Sequence, residues 1–370
     1  MKKLFAGFLA LALCESPLAL AETEAQYPNT SGQVLFELKT DRAITTTKNG
    51  APSSNTYVNI EPDLSLNLDK NWSIKTGWRI FPTMQNREGP TPERSRTILS
   101  ADRGFNQDHT TLIVEELKAH YENDDMRFFA GKFNPSFATM YRKTKRVGVF
   151  VTDFTEDYEL REKVGGGISA LLEDSEITFN TFFNDPTGLS GSYPNNRGRE
   201  RSNNGLAGNT STLSSYTATI EGQKIFGVEN LFYNVGYRSL GVANDGSNAR
   251  ETGYTINLEY LKKITHNTSL IPLIEFVKIN NFTGHTGRNA QYVTMALIGK
   301  YSSWSASIAS VKRNVENNYQ GRNSNDSQFQ FTASYKFTNN FAIDVSRMRL
   351  KEDSYSGSMI GIMLSYLYKF

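Results

Sequence analysis

The chain has 370 residues, 40 Lys plus Arg against 38 Asp plus Glu, and a formal net charge of +2. That balance excludes a nucleic-acid binder, which needs a basic excess to displace counterions. Only 38% of residues are apolar, yet 12% are aromatic, which argues against disorder and against a protein of buried helices, and the single Cys leaves no internal disulfide or Cys-based zinc site.

The chain starts with Met1, Lys2 and Lys3, runs apolar from Leu4 to Leu13, and reaches the A-x-A signal Ala19-Leu20-Ala21. This predicts a secretory signal peptide over 1–21, cleaved to leave 22–370 as a single domain. Cys14 falls inside it. The alternative reading of Leu11-Ala12-Leu13-Cys14 as a lipoprotein site puts bulky Leu13 where a small residue is expected. No run of 18 apolar residues follows, so no membrane-spanning helix is available. An exported soluble protein and an outer-membrane β-barrel remain. The barrel carries its membrane signal in alternation.

Period-two alternation dominates the rest. Val58, Ile60, Pro62, Leu64, Leu66 and Leu68 alternate with Asn59, Glu61, Asp63, Ser65 and Asn67. The same split holds for Trp72, Ile74, Trp78 and Ile80 against Ser73, Lys75, Gly77 and Arg79. It recurs in 254–260, and in 328–337, where Phe329, Phe331, Ala333, Tyr335 and Phe337 share one face. Successive strand side chains point to opposite faces, so each segment has one oily and one wet side. Two segments are less clean: 111–122 has Glu115 among its apolar set, and 341–350 changes phase near Arg347, which suggests a bulge there. The predicted strands are 32–40, 56–68, 72–82, 110–122, 125–133, 163–173, 175–184, 214–226, 229–240, 252–264, 268–279, 290–302, 303–313, 326–337, 340–350 and 357–370, sixteen in all.

The connections decide between the classes. Those after even strands are tight: Asp69-Lys70-Asn71, Asn123-Asp124, Asp174, Gly227-Val228, Thr265–Asn267, Ser302-Ser303 and Thr338-Asn339. Those after odd strands are mostly long and polar: 41–55, 83–109, 134–162, 185–213, 241–251, 280–289, 314–325 and 351–356. Short and long ends that alternate strictly, with an even strand number, predict an all-β fold: a closed antiparallel transmembrane β-barrel with short periplasmic turns and long external loops. Hydrocarbon supplies no hydrogen-bond partner, so the sheet must close on itself. About sixteen strands leave an interior too wide for wall side chains to fill, hence an aqueous channel.

The chain ends on alternating Ile362, Leu364, Tyr366, Tyr368 and Phe370. With the leader, the strand count and Ala130-Gly131-Lys132-Phe133-Asn134-Pro135-Ser136-Phe137, this ending resembles the sixteen-stranded Gram-negative diffusion porins, though the Pro-Glu-Phe-Gly-Gly loop tip of enterobacterial members is missing. The resemblance covers the whole mature chain as a pattern. It implies an outer-membrane channel for small hydrophilic solutes and ions, a homotrimer, and contact with outer-membrane lipid and lipopolysaccharide. It also implies that the barrel-assembly machinery reads Tyr366, Tyr368 and Phe370 as a terminal signal, and that the third loop, 134–162, folds into the lumen as a constriction. In that loop Arg142, Lys143, Lys145 and Arg146 precede Asp153, Glu156, Asp157 and Glu159. Parity turns Lys39, Lys75 and Arg79 inward, with Arg127 a further candidate, and the resemblance sets acidic loop groups against a basic wall. Glu37, Glu61, Asp63, Glu221, Glu259 and Asp344 share the inward parity, so the sign of selectivity stays open.

Enzyme readings find little support. His109, His120, His266 and His285 show no metal-ligand spacing, and Gly165-Gly166-Gly167 lies in a strand context rather than before a helix. Those glycines are expected to permit curvature or approach of the inserted loop. No cofactor is expected. A calcium site at Asn323–Asp326 and an arginine ladder at Arg197, Arg199 and Arg201 are both set against solvated loop. The alternatives to a diffusion channel are a channel selective for phosphate, sugars or carboxylates, and a non-conducting adhesin or structural barrel.

Overall fold

The computed structural model describes residues 26–46, 54–82, 110–143, 149–150, 153–194, 206–243, 249–318, 321, 323–353 and 355–370. Sixteen long strands form its wall: β1 Asn29–Thr46, β2 Ser54–Asn67, β3 Trp72–Pro82, β4 Thr110–Glu122, β5 Met126–Phe133, β6 Lys163–Leu171, β7 Ser175–Asn184, β8 Ser215–Gln223, β9 Leu231–Leu240, β10 Glu251–Tyr260, β11 Thr268–Asn280, β12 Arg288–Tyr301, β13 Trp304–Asn317, β14 Ser324–Lys336, β15 Phe341–Glu352 and β16 Tyr355–Lys369. Each pairs antiparallel with its sequence neighbours, and β1 pairs with both β2 and β16. The ring is closed. Gly32 and Phe370 exchange backbone hydrogen bonds of 3.1 and 3.2 Å, so the terminal residue completes the seam.

The two faces differ as hydrocarbon outside and water inside require. In β10, Tyr254, Ile256 and Leu258 are exposed on the outer face while Thr255, Asn257 and Glu259 are buried inward. Two aromatic belts edge the apolar band. Around the tight turns, Trp72, Tyr121 and Phe128 are in contact, as are Trp304, Tyr335, Phe337 and Phe341. Towards the other end, Phe179, Tyr216 and Tyr237 adjoin across three strands, and Tyr254 meets Phe276. Such girdles mark the two interfaces of a transmembrane barrel.

The tight turns follow from their sequence. Asp69 Oδ1 accepts from the Asn71 and Trp72 amides at 2.7 and 2.8 Å, and Asn123 Oδ1 from those of Asp125 and Met126 at 3.0 and 2.8 Å. A short acceptor side chain thus closes each turn. All seven short connections fall where expected, but the one at Gly227-Val228 runs over seven residues, 224–230, and includes a 3-10 turn at Ile225–Gly227. At the opposite end the strands run further than expected, so β1 reaches Thr46, β2 starts at Ser54, and only 353–354 separate β15 from β16.

Three expectations are corrected. First, 341–350 contains no bulge: β15 holds one register with both neighbours throughout. Bulges occur instead in β1 between Ala43 and Thr45, and in β4, where Glu116 pairs with Gly77 and Val114 with Trp78. The unpaired residue there is Glu115, so two successive carboxylates, Glu115 and Glu116, reach inward cations. Second, of curvature or approach of the third loop, the latter is not what Gly165–Gly167 serve among the described residues: their nearest neighbours belong to the adjoining strands. A Cβ at Gly167 would lie 2.3 Å from the Phe129 ring, and one at Gly165 2.1 Å from the Thr181 carbonyl. They admit the neighbouring strand and Phe129, which turns inward to pack on Phe133 and hence Phe182. This is why β5 reads as apolar on both faces. Third, Asp326 is not in a solvated loop but buried against Arg313.

Candidate pore constriction

The segment 134–162 leaves the wall at the end of β5 and its base is pinched shut. Glu162 N donates to Asn134 Oδ1 at 2.8 Å, and Lys132 bridges Glu162 and Asp185 at 3.0 Å each. Two short helices, α1 Met140–Lys143 and α2 Asp153–Glu156, lie between. Their partners are inward-facing side chains of strands on the far side of the ring.

Five anchors hold it. Glu275 of β11, 1% exposed, accepts from the Thr139 and Met140 amides at 2.8 and 3.0 Å and from the Tyr158 hydroxyl at 2.7 Å. Burial first, then the adjacent Glu275 carboxylate, push the Tyr158 phenol well above its ordinary range, so it stays a donor. Arg313 of β13, 2% exposed, donates to Asp157 at 2.8 Å while also gripping Asp326 and Glu352 at 2.7 and 2.6 Å. Its guanidinium lies 4.2 Å from the centre of the Phe154 ring. Arg238 of β9 donates to the Tyr158 carbonyl at 2.8 Å, pairs with Glu251 at 2.5 Å, and stacks on Phe137. Lys143 meets Glu259 at 2.6 Å, and the Val149 amide donates to Ser346 at 3.0 Å.

Between the anchors the lumen is dry. Phe137, Ala138, Val149, Phe150, Phe154 and Tyr158 pack into one buried cluster with inward wall residues such as Val277, Ile279, Tyr292, Val311, Met348 and Met359. Inward glycines give the segment room: a Cβ at Gly236 would sit 2.4 Å from the Phe137 carbonyl, and one at Gly361 2.8 Å from the Phe150 ring.

The opposite flank of the segment is open and ionic. Arg161 pairs with Glu159 and approaches Glu156 at 3.6 Å. Across from them Arg79 on β3 lies 3.3 Å from Glu61 and 3.6 Å from Glu115, within electrostatic reach of both Arg161 and Glu156. The side chains of Arg161, Glu61 and Glu115 are 26, 21 and 22% exposed, against 2% for Arg313, with Arg79, Glu156 and Glu159 in between at 14, 13 and 8%. Lower down, Lys75 Nζ lies 3.3 Å from His120 Nε2, and Arg127 is tied to Glu122 and Glu176 at 2.9 and 2.5 Å. Lys39 pairs with Glu37 at 2.9 Å.

Lys39, Lys75 and Arg79 lie on the inner face, as does Arg127, whose parity is ambiguous and which Glu122 and Glu176 hold there. The loop is less simple than an acidic patch facing a basic wall. Asp157 does face a wall cation, but Glu156 and Glu159 face Arg161 of their own segment, and Lys143 reverses the pattern on Glu259. The side chains of Arg142 and Asp153, and the residues Lys145, Arg146, Arg197, Arg199 and Arg201, lie outside the described residues. Tyr366, Tyr368 and Phe370 are exposed on the outer face. Arg313, Arg238 and Glu275 were missed. Their signal was a charged residue in phase with the inward set, as with Glu275 opposite Asn257 and Arg238 opposite Thr217.

With the closed ring and the outer apolar band in view, comparison with solved structures is decisive for architecture. The Salmonella typhi OmpF complex with daunomycin superposes with a TM-score of 0.60 over 90% of this chain and 97% of its own, at 12% identity. The fold is that of the outer-membrane porins. Pseudomonas putida OprB gives 0.58 over 92% of this chain and 94% of its own at 11% identity, and Acinetobacter baumannii OccAB3 gives 0.54 over 92% and 100% at 8%. No protein-family model matches the chain, and no curated protein matches its sequence. The porin fold is thus shared where sequence identity has all but vanished, because alternation and closure are set by the two solvents rather than by particular side chains.

Proposed function

We propose that the chain forms a water-filled channel for passive diffusion of small hydrophilic solutes and ions across the bacterial outer membrane, with 134–162 setting the narrowest point. The supporting observation is the division of the lumen. One flank of the segment is fastened in a dry cluster against β9–β16, while the other leaves ionised, partly wetted groups facing β2–β4. Charges at a narrow point surrounded by low-dielectric material govern which ions pass. The solute path runs between Glu156, Glu159 and Arg161 on one side and Glu37, Lys39, Glu61, Arg79 and Glu115 on the other, then past Lys75, His120 and Arg127. Arg142, Lys145, Arg146 and Asp153 belong to the same loop in this reading.

Planar-bilayer recording tests it. Ohmic current is expected from the purified barrel, and its absence would favour an adhesin or structural barrel. Saturable block by phosphate, sugars or carboxylates would favour a selective channel instead. Replacing Lys75 and Arg79 with Glu is expected to move the reversal potential in a salt gradient towards cation preference. A unit charge about 5 Å from a passing ion is worth about 0.8 kcal/mol even at the dielectric constant of water, roughly a fourfold bias. An unchanged permeability ratio would remove these two residues from the path.

The reading extends to assembly. The leader 1–21 is cleaved, the machinery that inserts barrels recognises Tyr366, Tyr368 and Phe370, and the channel works as a homotrimer. One structure sharing the fold, Vibrio cholerae OmpT, is described as a trimer. Native-gel mobility before and after boiling is expected to show a species near three chain masses that collapses to one; a monomer at both temperatures would overturn the trimer.

A further inference from the structure

Ion pairing along the passage is lopsided. Arg79 stands between Glu61 and Glu115, at 3.3 and 3.6 Å. Arg127 stands between Glu122 and Glu176, and Arg161 between Glu156 and Glu159. Each of these three arginines thus has two carboxylates to itself. Lys39 with Glu37 and Lys118 with Glu116 are one-to-one pairs, at 2.9 and 2.7 Å. Two groups make no ion pair among the described residues: Lys75, which lies against His120, and Asp63, whose side-chain hydrogen bond comes from Gln33 Nε2 at 3.3 Å. These last two cancel, so the described flank keeps one surplus negative charge at each arginine. Asp344 of β15, hydrogen-bonded by Ser334 and within electrostatic reach of Glu37 and Lys39, adds a further carboxylate.

Register sorts the charges into layers, and one layer holds acids alone. Asp63 pairs with Gly77 and Gly77 with Glu116, so the two carboxylates flank a residue with no side chain. A Cβ at Gly77 would lie 3.3 Å from Asp63 Oδ1 and 3.7 Å from Glu116 Cγ. Asp63 is exposed and lies within electrostatic reach of Glu61, Glu115 and Glu116. The bulge in β4 builds this group, because it turns Glu115 inward beside Glu116. Lys75 and Lys118 pair in the next layer towards the periplasmic turns, about 7 Å away at about 3.4 Å of rise per residue.

We propose that the channel passes cations in preference to anions, and that Asp63 is the wall residue that weighs most in that preference on the periplasmic side of Arg79. The inference rests on the channel reading and deepens it. An anion on this path meets arginines already outnumbered by their own carboxylates, and Lys75 is the one cation that no acid pairs among the described residues. A cation meets surplus negative charge at Arg161, Arg79, Asp63 and Arg127 in turn. Charge on a narrow, low-dielectric wall raises the local concentration of the opposite ion and so its share of the current. The preference is one of passage, with no ion held in place.

The test is the zero-current potential of the full-length barrel in a planar bilayer under a potassium chloride gradient. A potential of the sign that marks potassium as the more permeant ion is expected. Asp63→Asn is expected to lower the potassium-to-chloride permeability ratio about two- to fourfold, the weight of one unit charge about 5–8 Å from a passing ion at the dielectric constant of water. Asp63→Glu keeps the ratio. Raising the salt from about 0.1 M to about 1 M shortens the screening length from about 10 to about 3 Å and is expected to shrink the preference. Chloride preference, or a ratio that Asp63→Asn leaves unchanged, overturns the proposal. If Asp63→Asn does not fold, the unaltered chain still decides, since chloride preference or a salt-independent ratio counts against the proposal. Ohmic current without cation preference overturns this inference and leaves the channel reading standing, whereas no current from the unaltered barrel removes both.

Discussion

Replacing Arg313 with Met is expected to lower the temperature at which the folded barrel gives way on heat-modifiability gels and to raise and destabilise its single-channel conductance. Arg313 is 2% exposed and holds three carboxylates, Asp157, Asp326 and Glu352, at 2.6–2.8 Å. Taking the cation away leaves those acids buried without a counter-charge, which typically costs about 3–5 kcal/mol. The loss falls on the loop as well as the wall, because Asp157 is the only one of the three that belongs to 134–162. Asp157→Asn provides the contrast: it spares the Arg313 links to Asp326 and Glu352, so conductance changes while thermal resistance is largely kept. Identical melting and identical current for Arg313→Met would show that the cluster does not hold the loop.

Gly236→Val should alter conductance with no change of charge. The added Cβ would lie 2.4 Å from the Phe137 carbonyl and 2.8 Å from Thr255 Cγ2, and the backbone atom cannot swing aside. Overpacking of this kind costs about 1–3 kcal/mol, and here it is relieved by pushing the segment off the wall into the passage. Phe137 then leaves Arg238, 4.8 Å from its ring centre, and the current is expected to fall. Gly361→Val strikes a different part of the same segment, at Val149 and Phe150. Gly299→Ala is the matched control, since its Cβ would meet only the Ala306 carbonyl, at 4.0 Å. A Gly236→Val current equal to that of Gly299→Ala would place the segment elsewhere.

Most of the wall was legible in the sequence because each strand section inside the bilayer separates oil from water, and that boundary forces strict alternation. Trp72 to Ile80 and Phe329 to Phe337 could be read directly. The misreading of 341–350 shows where the rule stops. Arg347, Arg349 and Lys351 face outward and Met348 and Leu350 face inward, so the polarity of the two faces inverts without any change of register. The strand has risen above the hydrocarbon on its outside and meets the dry cluster on its inside. A phase break in sequence was a change of surroundings. Parity alone also turns Lys39, Lys75 and Arg79 inward, where the structure has them. It could not find the pairs that fasten the loop, since Asp157 with Arg313 and Tyr158 with Glu275 join residues 156 and 117 positions apart. Alternation registered Glu115 only as a polar residue among the apolar set of 111–122, not as the bulge that puts two consecutive acids on the same side.

The anchors of 134–162 all lie later in the chain than the segment itself. Glu259, Glu275, Arg313 and Ser346 belong to β10, β11, β13 and β15, and the Val149–Ser346 bond spans 197 positions. The segment therefore has nowhere to dock until the second half of the barrel exists. Its seating is a closing event in assembly, after the wall has formed, and a barrel caught before it would already be cylindrical yet wide open.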